Sequence, residues 1–299
     1  MYSFGEGFLV FGEVLFDEFG DTRKLGGAPF NVAYNLLMLG FNPSLLSRVG
    51  QDNSGDEILR FMKKKGLSAD LVGVDAVHET GRVCVTVKNG EPDYEIKKDQ
   101  AYDYIGLPAV VPDAGCVCYG TLAARSEISR NTLLHILKTA SGMKFYDVNL
   151  RKDCWTVPIV KTLMQCADFV KLNADELRTI SEQLAGRSSG RCEDALMLAE
   201  MFDLKGIFVT FGAEGAGYYS PKETCLCSSA ELTDIADTVG AGDAFSAVVS
   251  AGIISGEPVE KILKKAVLYA AGICRLNGAL AEDDAFYADL NKEVSNVFG

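Results

Sequence analysis

Asp237-Thr238-Val239-Gly240-Ala241-Gly242-Asp243-Ala244-Phe245 reads as a glycine-rich turn that opens directly into an amphipathic helix. Phe245, Val248, Val249 and Ile253 mark its apolar side, and the pattern predicts a helix from Gly242 to about Ser255. The first N–H groups of such a helix have no partner within it, and the dipole there is positive. Gly240 and Gly242 let the backbone come close to a ligand. Together these make an anion hole suited to a phosphate in transfer. Asp243 lies in the first turn, placed to accept a proton from a hydroxyl attacking phosphorus. A first-turn acid also complements the dipole, so the segment alone leaves both readings of Asp243 open.

Upstream, apolar runs alternate with helical patterns. FLVFGEVLF (8–16) reads as one buried strand, and PFNVAYNLLMLG (29–40) as a helix with Pro29 in its first turn and Gly40 closing it. SLLSRVG (44–50) is a strand, and the next helix runs from about Ser54 to Gly66. RVCVTVKNGEPDYEI (82–96) alternates around Asn89-Gly90, a hairpin signal and an antiparallel excursion. CVCYG, KFYDV, DFVKL and GIFVTF then read as strands, with helices over 128–138, 158–166 and 174–184 between them. GAEGAGYYS turns the last strand back, and CLCSSA continues the small β region. A final helix from Pro258 to Arg275 carries Ala266, Ala270 and Ala271 on one face. Such alternation implies a mainly parallel sheet with helices on both faces. With no internal repeat and no Pro-, Gly- or Ser-rich linker, one α/β domain over 1–299 with a small β lid is the simplest account.

Composition narrows the function classes. The chain has 299 residues, 48% hydrophobic and 23% charged, which excludes disorder as its main state and allows a large core. No apolar run approaches the roughly 20 residues that span a bilayer. The N-terminal stretch lacks Lys and Arg and carries glutamates, unlike a signal peptide. A net charge of −12, with no basic run longer than Lys63–Lys65, argues against nucleic acid as a partner. It does not exclude an anionic small ligand, because local N–H groups can reverse the field inside a cleft. Nine cysteines, an odd number with no CxxC pair, point to a reducing cytoplasm without a disulfide framework or zinc site.

DTVGAGDAF resembles the C-terminal signature of the ribokinase, or PfkB, carbohydrate kinases. Gly26-Gly27-Ala28-Pro29-Phe30-Asn31 resembles that family's GG-x-x-x-N signature, Asn173-Ala174-Asp175-Glu176 its N-x-x-E motif, and Thr210-Phe211-Gly212-Ala213-Glu214-Gly215 its T-x-G-x-x-G nucleotide motif. The motifs stand in the family's order and spacing over most of the chain. GEVLFD, GGAPFN and YDVNLR look closest to bacterial fructokinases, with Val148 in place of the proline of the usual DPNLR string.

The resemblance implies a three-layer α/β/α fold whose central sheet is mainly parallel, with a β lid contributed by about 14–26 and 80–105. It implies an ATP-dependent kinase that phosphorylates a primary sugar hydroxyl, most simply fructose to fructose 6-phosphate. Asp243 would be the base, and the N–H groups of Gly240, Ala241 and Gly242 would hold the γ-phosphoryl group. Asp17, Gly26, Gly27 and Asn31 would bind sugar, and Arg151 a phosphate. Thr210, Gly212 and Gly215 would line the nucleotide phosphates, with Asn277 and Ala270-Ala271 near the adenine. Asn173 would meet a phosphate oxygen and Glu176 would order Mg²⁺ through water. The same pair reads equally as an N-cap with its capping box, and both can hold at once. Asp237, with the carbonyl of Val239 and the backbone at Gly278, resembles the family's monovalent-cation site, for K⁺ or a similar ion. Tyr94 and Ile96 would face the sugar or a partner subunit in a homodimer formed through the lid, or pack within it.

Related kinases for 2-dehydro-3-deoxygluconate, ribose or a nucleoside are the alternatives within the family. Outside enzymes, a non-catalytic sugar-binding regulator is the alternative. An acid sugar would call for extra cations, and Lys97 and Lys98 are the ones on offer. Gly186-Arg187-Ser188-Ser189-Gly190 matches the hydrolase G-x-S-x-G string, but it follows no strand, and both histidines, His78 and His135, precede it.

Overall fold

The first apolar run does not form one strand. In the computed structural model, which describes residues 7–88, 91–229 and 235–297, Phe8–Phe11 is β1. The chain turns at Gly12 (φ 146°), where a Cβ would lie 2.4 Å from Cγ of Pro29. Leu15–Phe19 then starts afresh as β2, in a different sheet. Close packing against a helix start, invisible to hydropathy, breaks the run.

The elements that follow are β3 (Thr22–Gly26), α1 (Ala28–Met38), β4 (Pro43–Gly50), α2 (Asn53–Lys65) and β5 (Val72–Asp75). Then come β6 (Gly81–Lys88), β7 (Glu91–Ile96), β8 (Cys116–Tyr119), α3 (Glu127–Thr139), β9 (Met143–Asp147) and α4 (Val157–Gln165). They are followed by β10 (Phe169–Asn173), α5 (Ala174–Ala185), α6 (Arg191–Met201), β11 (Gly206–Thr210), β12 (Ala216–Tyr219) and β13 (Thr224–Cys227). The chain closes with α7 (Ala241–Ile254), α8 (Val259–Ile273) and α9 (Asp284–Asn296).

The large sheet has nine strands in the order β13-β12-β11-β10-β9-β8-β1-β4-β5. From β5 to β11 its neighbours are parallel; β12 and β13 are antiparallel additions at one edge. Strand β1 is buried on both faces. Its Phe8 and Val10 join an apolar cluster with α1, α7 and α8, while Leu9 and Phe11 join one with α3, α4 and α5. Two helical layers thus cover a parallel sheet, as its continuous apolar strands require. The small sheet is β3-β2-β6-β7, with β2 parallel to β6 and hairpins at both sides.

Several boundaries differ from the sequence reading. CLC belongs to the edge of the large sheet, paired with β12. The small sheet ends at Ile96, which packs against the apolar cluster containing Leu15, Val83 and Tyr102. Residues 97–105 turn back onto the core instead: Arg125 binds both carboxylate oxygens of Asp103 at 2.8 Å and the Tyr102 hydroxyl at 2.9 Å. The side chain of Tyr94 lies outside the described residues. Helices α6 and α9 are additional. In α6 the buried face is short and starts with an acid, Asp194, ahead of Ala195, Leu198 and Ala199, which obscures the pattern. Asp194 also accepts from the Ser189 N–H at 2.8 Å and from the Ser188 hydroxyl, so GRSSG is an α5–α6 connection rather than a nucleophile elbow.

Candidate active site

In parallel sheets, ligands bind in the crevice beyond the carboxyl ends of the strands. Here β1 leads into Glu13, β9 ends on Asp147, β10 carries Lys171 and Asn173, and β11 ends on Thr210. The N-termini of α1 and α7 meet over these ends. Asn31 of α1 donates from Nδ2 to Oδ2 of Asp243 at 2.7 Å, and both residues are buried. Burial pushes the Asp243 carboxyl up to about 6 and the charge of Asp147 adds to this, while Asn31, Lys171 and Arg151 oppose it.

Helix α7 begins at Gly240 (φ 82°), and no side chain caps it. A Cβ at Gly240 would fall 2.5 Å from that of Ala279, so the tight turn depends on glycine. Beneath the turn lies a buried ion pair: Lys171 Nζ is 3.1 Å from Oδ1 of Asp147. Oδ2 of Asp147 also accepts from the Ser246 hydroxyl at 2.6 Å. Burial favours neutral Lys171, but Asp147, Glu176 and Asp243 outweigh it and raise its pKa. A Cβ on Gly242 would stand 3.0 Å from that ammonium. The helix end is therefore open directly above a fixed positive charge.

On the other side of Asp243 the site is acidic. Asp17 of β2 is raised to about 6 by burial, with Arg151 and Lys24 pulling it down. Glu13 is raised to about 7, again by burial, and its Oε2 has no hydrogen-bond partner. Gly26 faces Asp17: a Cβ there would lie 2.9 Å from Oδ2. Gly27 (φ 105°) lets α1 start against the Glu13 carbonyl, which a Cβ would approach to 2.6 Å. Arg151 is exposed, and its charge acts on Glu13, Asp17 and Asp243.

A cavity of about 670 Å³ opens on the far side of the α7 start. Thr210, Gly212, Gly215, Ala241 and Gly242 line it, together with the apolar side chains of Ile235, Val267, Ala270, Ala271 and Cys274. Gly242 lines this cavity, and Asp243, next in the chain, is bound to Asn31 of α1.

Four expected residues have partners within the chain. Asn173 and Glu176 form a complete capping box on α5: Asn173 Oδ1 accepts the Glu176 N–H at 2.9 Å, and Glu176 Oε2 accepts the Asn173 N–H at 2.8 Å. Oε1 of Glu176 accepts from the Leu150 N–H at 2.7 Å, tying α5 to the loop that carries Arg151. With both oxygens held by amides, Glu176 fits a water-mediated contact to a metal rather than direct ligation. Among the described residues no cluster of three or more acidic, histidine or cysteine side chains forms a metal cage. Asn277 is absent from the lining of the 670 Å³ cavity, and its Oδ1 accepts from Lys24 Nζ at 2.6 Å. Asp237 Oδ1 accepts from the Val239 N–H at 3.1 Å, and its Oδ2 lies 3.9 Å from the same ammonium. Lys24, Glu13, Asp147 and Lys171 also stand at this candidate site, and the sequence reading passed over them. The last three had a signal, since each is a charge set inside an apolar run.

The pfkB carbohydrate-kinase family profile matches residues 3–284, so the chain belongs to the pfkB family of carbohydrate kinases. It is 27% identical to an uncharacterized sugar kinase of Pyrococcus horikoshii, solved in complex with ATP, with a TM-score of 0.78 over 91% of this chain and 93% of that one. Fructokinase-2 of Solanum habrochaites is 27% identical over 276 residues, 86% of this chain and 82% of that protein. A fructokinase double mutant from Vibrio cholerae, solved with fructose, ADP and a potassium ion, shares the fold at a TM-score of 0.80 with 23% identity, over 97% of this chain and all of that one (100%). No helix among the described residues is long and apolar enough to cross a membrane.

Proposed function

We propose that this sugar kinase transfers the γ-phosphoryl group of ATP to a primary hydroxyl of a neutral sugar, fructose in the first instance. The observation that carries the reading is the Asn31–Asp243 hydrogen bond of 2.7 Å, which fixes a buried carboxylate at the open start of α7. Asp17, Glu13 and Asn31 crowd the sugar side with acceptors against two cations, the exposed Arg151 and Lys24, whose ammonium is engaged by Asn277. Such a pocket suits hydroxyl groups and repels a carboxylate, which argues against acid sugars such as 2-dehydro-3-deoxygluconate. Lys97, a cation such a substrate would need, is engaged with Glu95 at 2.8 Å.

In this reading Asp243 takes the proton from the sugar hydroxyl as that oxygen attacks phosphorus. A carboxyl pKa of about 6 makes it a stronger base than an ordinary aspartate, yet still ionised at neutral pH. Asn31 holds Oδ2 so that the remaining lone pairs face the substrate. The amides of Gly240, Ala241 and Gly242, with Lys171 beneath, take up charge on the transferring group. Thr210, Gly212 and Gly215 receive the remaining phosphates, and Ala270-Ala271 the adenine. Glu176 would hold magnesium, which arrives with the nucleotide, through a bound water, and the ion would supply neutralisation of phosphate charge. The small sheet acts as a lid that excludes water, and its edges β3 and β7 are where a second copy would pair. The placement we infer is cytoplasmic.

ADP release, measured with Mg²⁺ and ATP over fructose, ribose, 2-dehydro-3-deoxygluconate, adenosine and tagatose, tests this directly. Preference for fructose supports the substrate assignment. Preference for another sugar keeps the kinase and discards fructose. Sugar binding without turnover would favour a regulator instead.

A further inference from the structure

Lys24 stands on β3, directly opposite Asp17 of β2 in the strand register. Its side chain leaves the small sheet and reaches the two loops that frame the start of α7. Nζ donates to Asn277 Oδ1 at 2.6 Å and lies 3.9 Å from Asp237 Oδ2. Its Cδ sits 3.0 Å from where a Cβ on Gly278 would be, so a larger residue at 278 would displace it.

The two loops are locked to each other. The N–H groups of Ala236 and Asp237 both donate to the Cys274 carbonyl, at 2.9 and 3.2 Å, and Gly240 packs on Ala279. Asp237, the carbonyl of Val239 and the backbone at Gly278 are also the groups expected to hold a monovalent cation. The Lys24 ammonium already stands 3.9 Å from Oδ2 of Asp237, the one charged group of that set, and 3.5 Å from where a Cβ on Gly278 would be. A second cation beside it would meet a like charge at close range. The residues present therefore fit an ammonium already supplied by the chain better than an added ion.

We propose that Lys24 supplies, within the chain, the monovalent positive charge that joins the 235–240 and 274–279 loops, so that nucleotide binding and turnover do not depend on potassium. A lysine ammonium is a compact point charge with three donors, suited to bridging a carboxylate and an amide oxygen. Because Lys24 belongs to the small sheet, the charge arrives with the element that also carries Asp17. Ordering of the nucleotide loops is then linked to the position of the sugar-side sheet.

The inference rests on the kinase reading, and the test separates the two. ADP binding by calorimetry with Mg²⁺, and initial rates, are compared in KCl and in choline chloride of equal ionic strength. For the unmodified chain, both stay within about twofold between salts, whereas Lys24→Met, which keeps the stem, loses about tenfold in choline chloride and recovers in KCl. A severalfold loss by the unmodified chain in choline chloride overturns the proposal, as does a Lys24→Met variant indifferent to both salts. Should that variant unfold, thallium NMR of the unmodified chain with ADP decides: a thallium signal perturbed by the protein and displaced by potassium overturns the proposal, and an unperturbed one supports it. No ADP binding in either salt overturns the kinase reading and this inference with it.

Discussion

Asn31 and Asp243, 212 positions apart in sequence, are joined by a 2.7 Å hydrogen bond between the first turns of α1 and α7. The bond makes one unit of two glycine-rich helix starts that each look ordinary alone. Asp243→Asn should keep the fold, and ADP affinity should stay within about twofold, while kcat falls by about 10²–10⁴, the usual range for loss of a general base. Steady-state kinetics beside ADP calorimetry check this, and near-normal turnover in a folded variant would remove Asp243 from the role of base.

Asn31→Ala tests the orienting partner separately. The amide stabilises the ionised carboxylate, so its loss should move the Asp243 pKa upward from about 6. Activity needs the ionised form. The acid limb of kcat/KM should therefore lie near pH 6 in the unmodified enzyme and shift to higher pH in Asn31→Ala, with kcat lowered roughly tenfold or more. Glu13 and Asp17 titrate close by, so the measured limb is a property of the group. A limb at the same pH in both proteins would contradict the assignment.

Much of this site is legible in the sequence because it is built from backbone geometry. Gly26-Gly27 and Gly240-Ala241-Gly242 announce helix starts, and Asn31 and Asp243 are polar residues in first turns, where a local motif suffices. What the sequence hides is long-range pairing. Lys171 looks like a stray charge in DFVKL until β9 places Asp147 beside it. Asn277 reads as a loop residue near the nucleotide, yet a lysine 253 positions away takes its side chain. The single strand expected over 8–16 fails at Gly12 for the same reason, since Pro29 packs there from a helix that is remote until the chain folds.

The Lys171–Asp147 pair gives a stability prediction. Their side chains are 7% and 9% exposed, so removing one partner strands a buried charge. Lys171→Met should lower the unfolding free energy by about 3–5 kcal/mol, whereas the double variant Lys171→Met/Asp147→Leu should recover a large part of the loss. Denaturant midpoints of the two variants and the unmodified chain check it. Equal loss in single and double variants would mean that packing, not charge, is what the pair supplies.

Glu13 offers the converse case, a carboxyl whose ionisation opposes folding. Burial raises its pKa from 4.5 to about 7, and Oε2 finds no partner. A raised folded pKa means that the native state binds the proton more tightly than the unfolded chain does. The stabilisation this gives is present below about pH 4.5 and lost as pH rises through 7. Above that point the native protein carries a buried, poorly paired negative charge beside Asp243. Glu13→Gln has nearly the same shape and no charge to desolvate. It should therefore melt higher than the unmodified chain at pH 8, by an amount on the order of 3 kcal/mol, and the gap should close as pH falls toward 4.5. Thermal unfolding of both proteins across that range checks the sign; a Glu13→Gln chain that is less stable at pH 8 would mean that ionised Glu13 is held by Arg151 more strongly than burial penalises it.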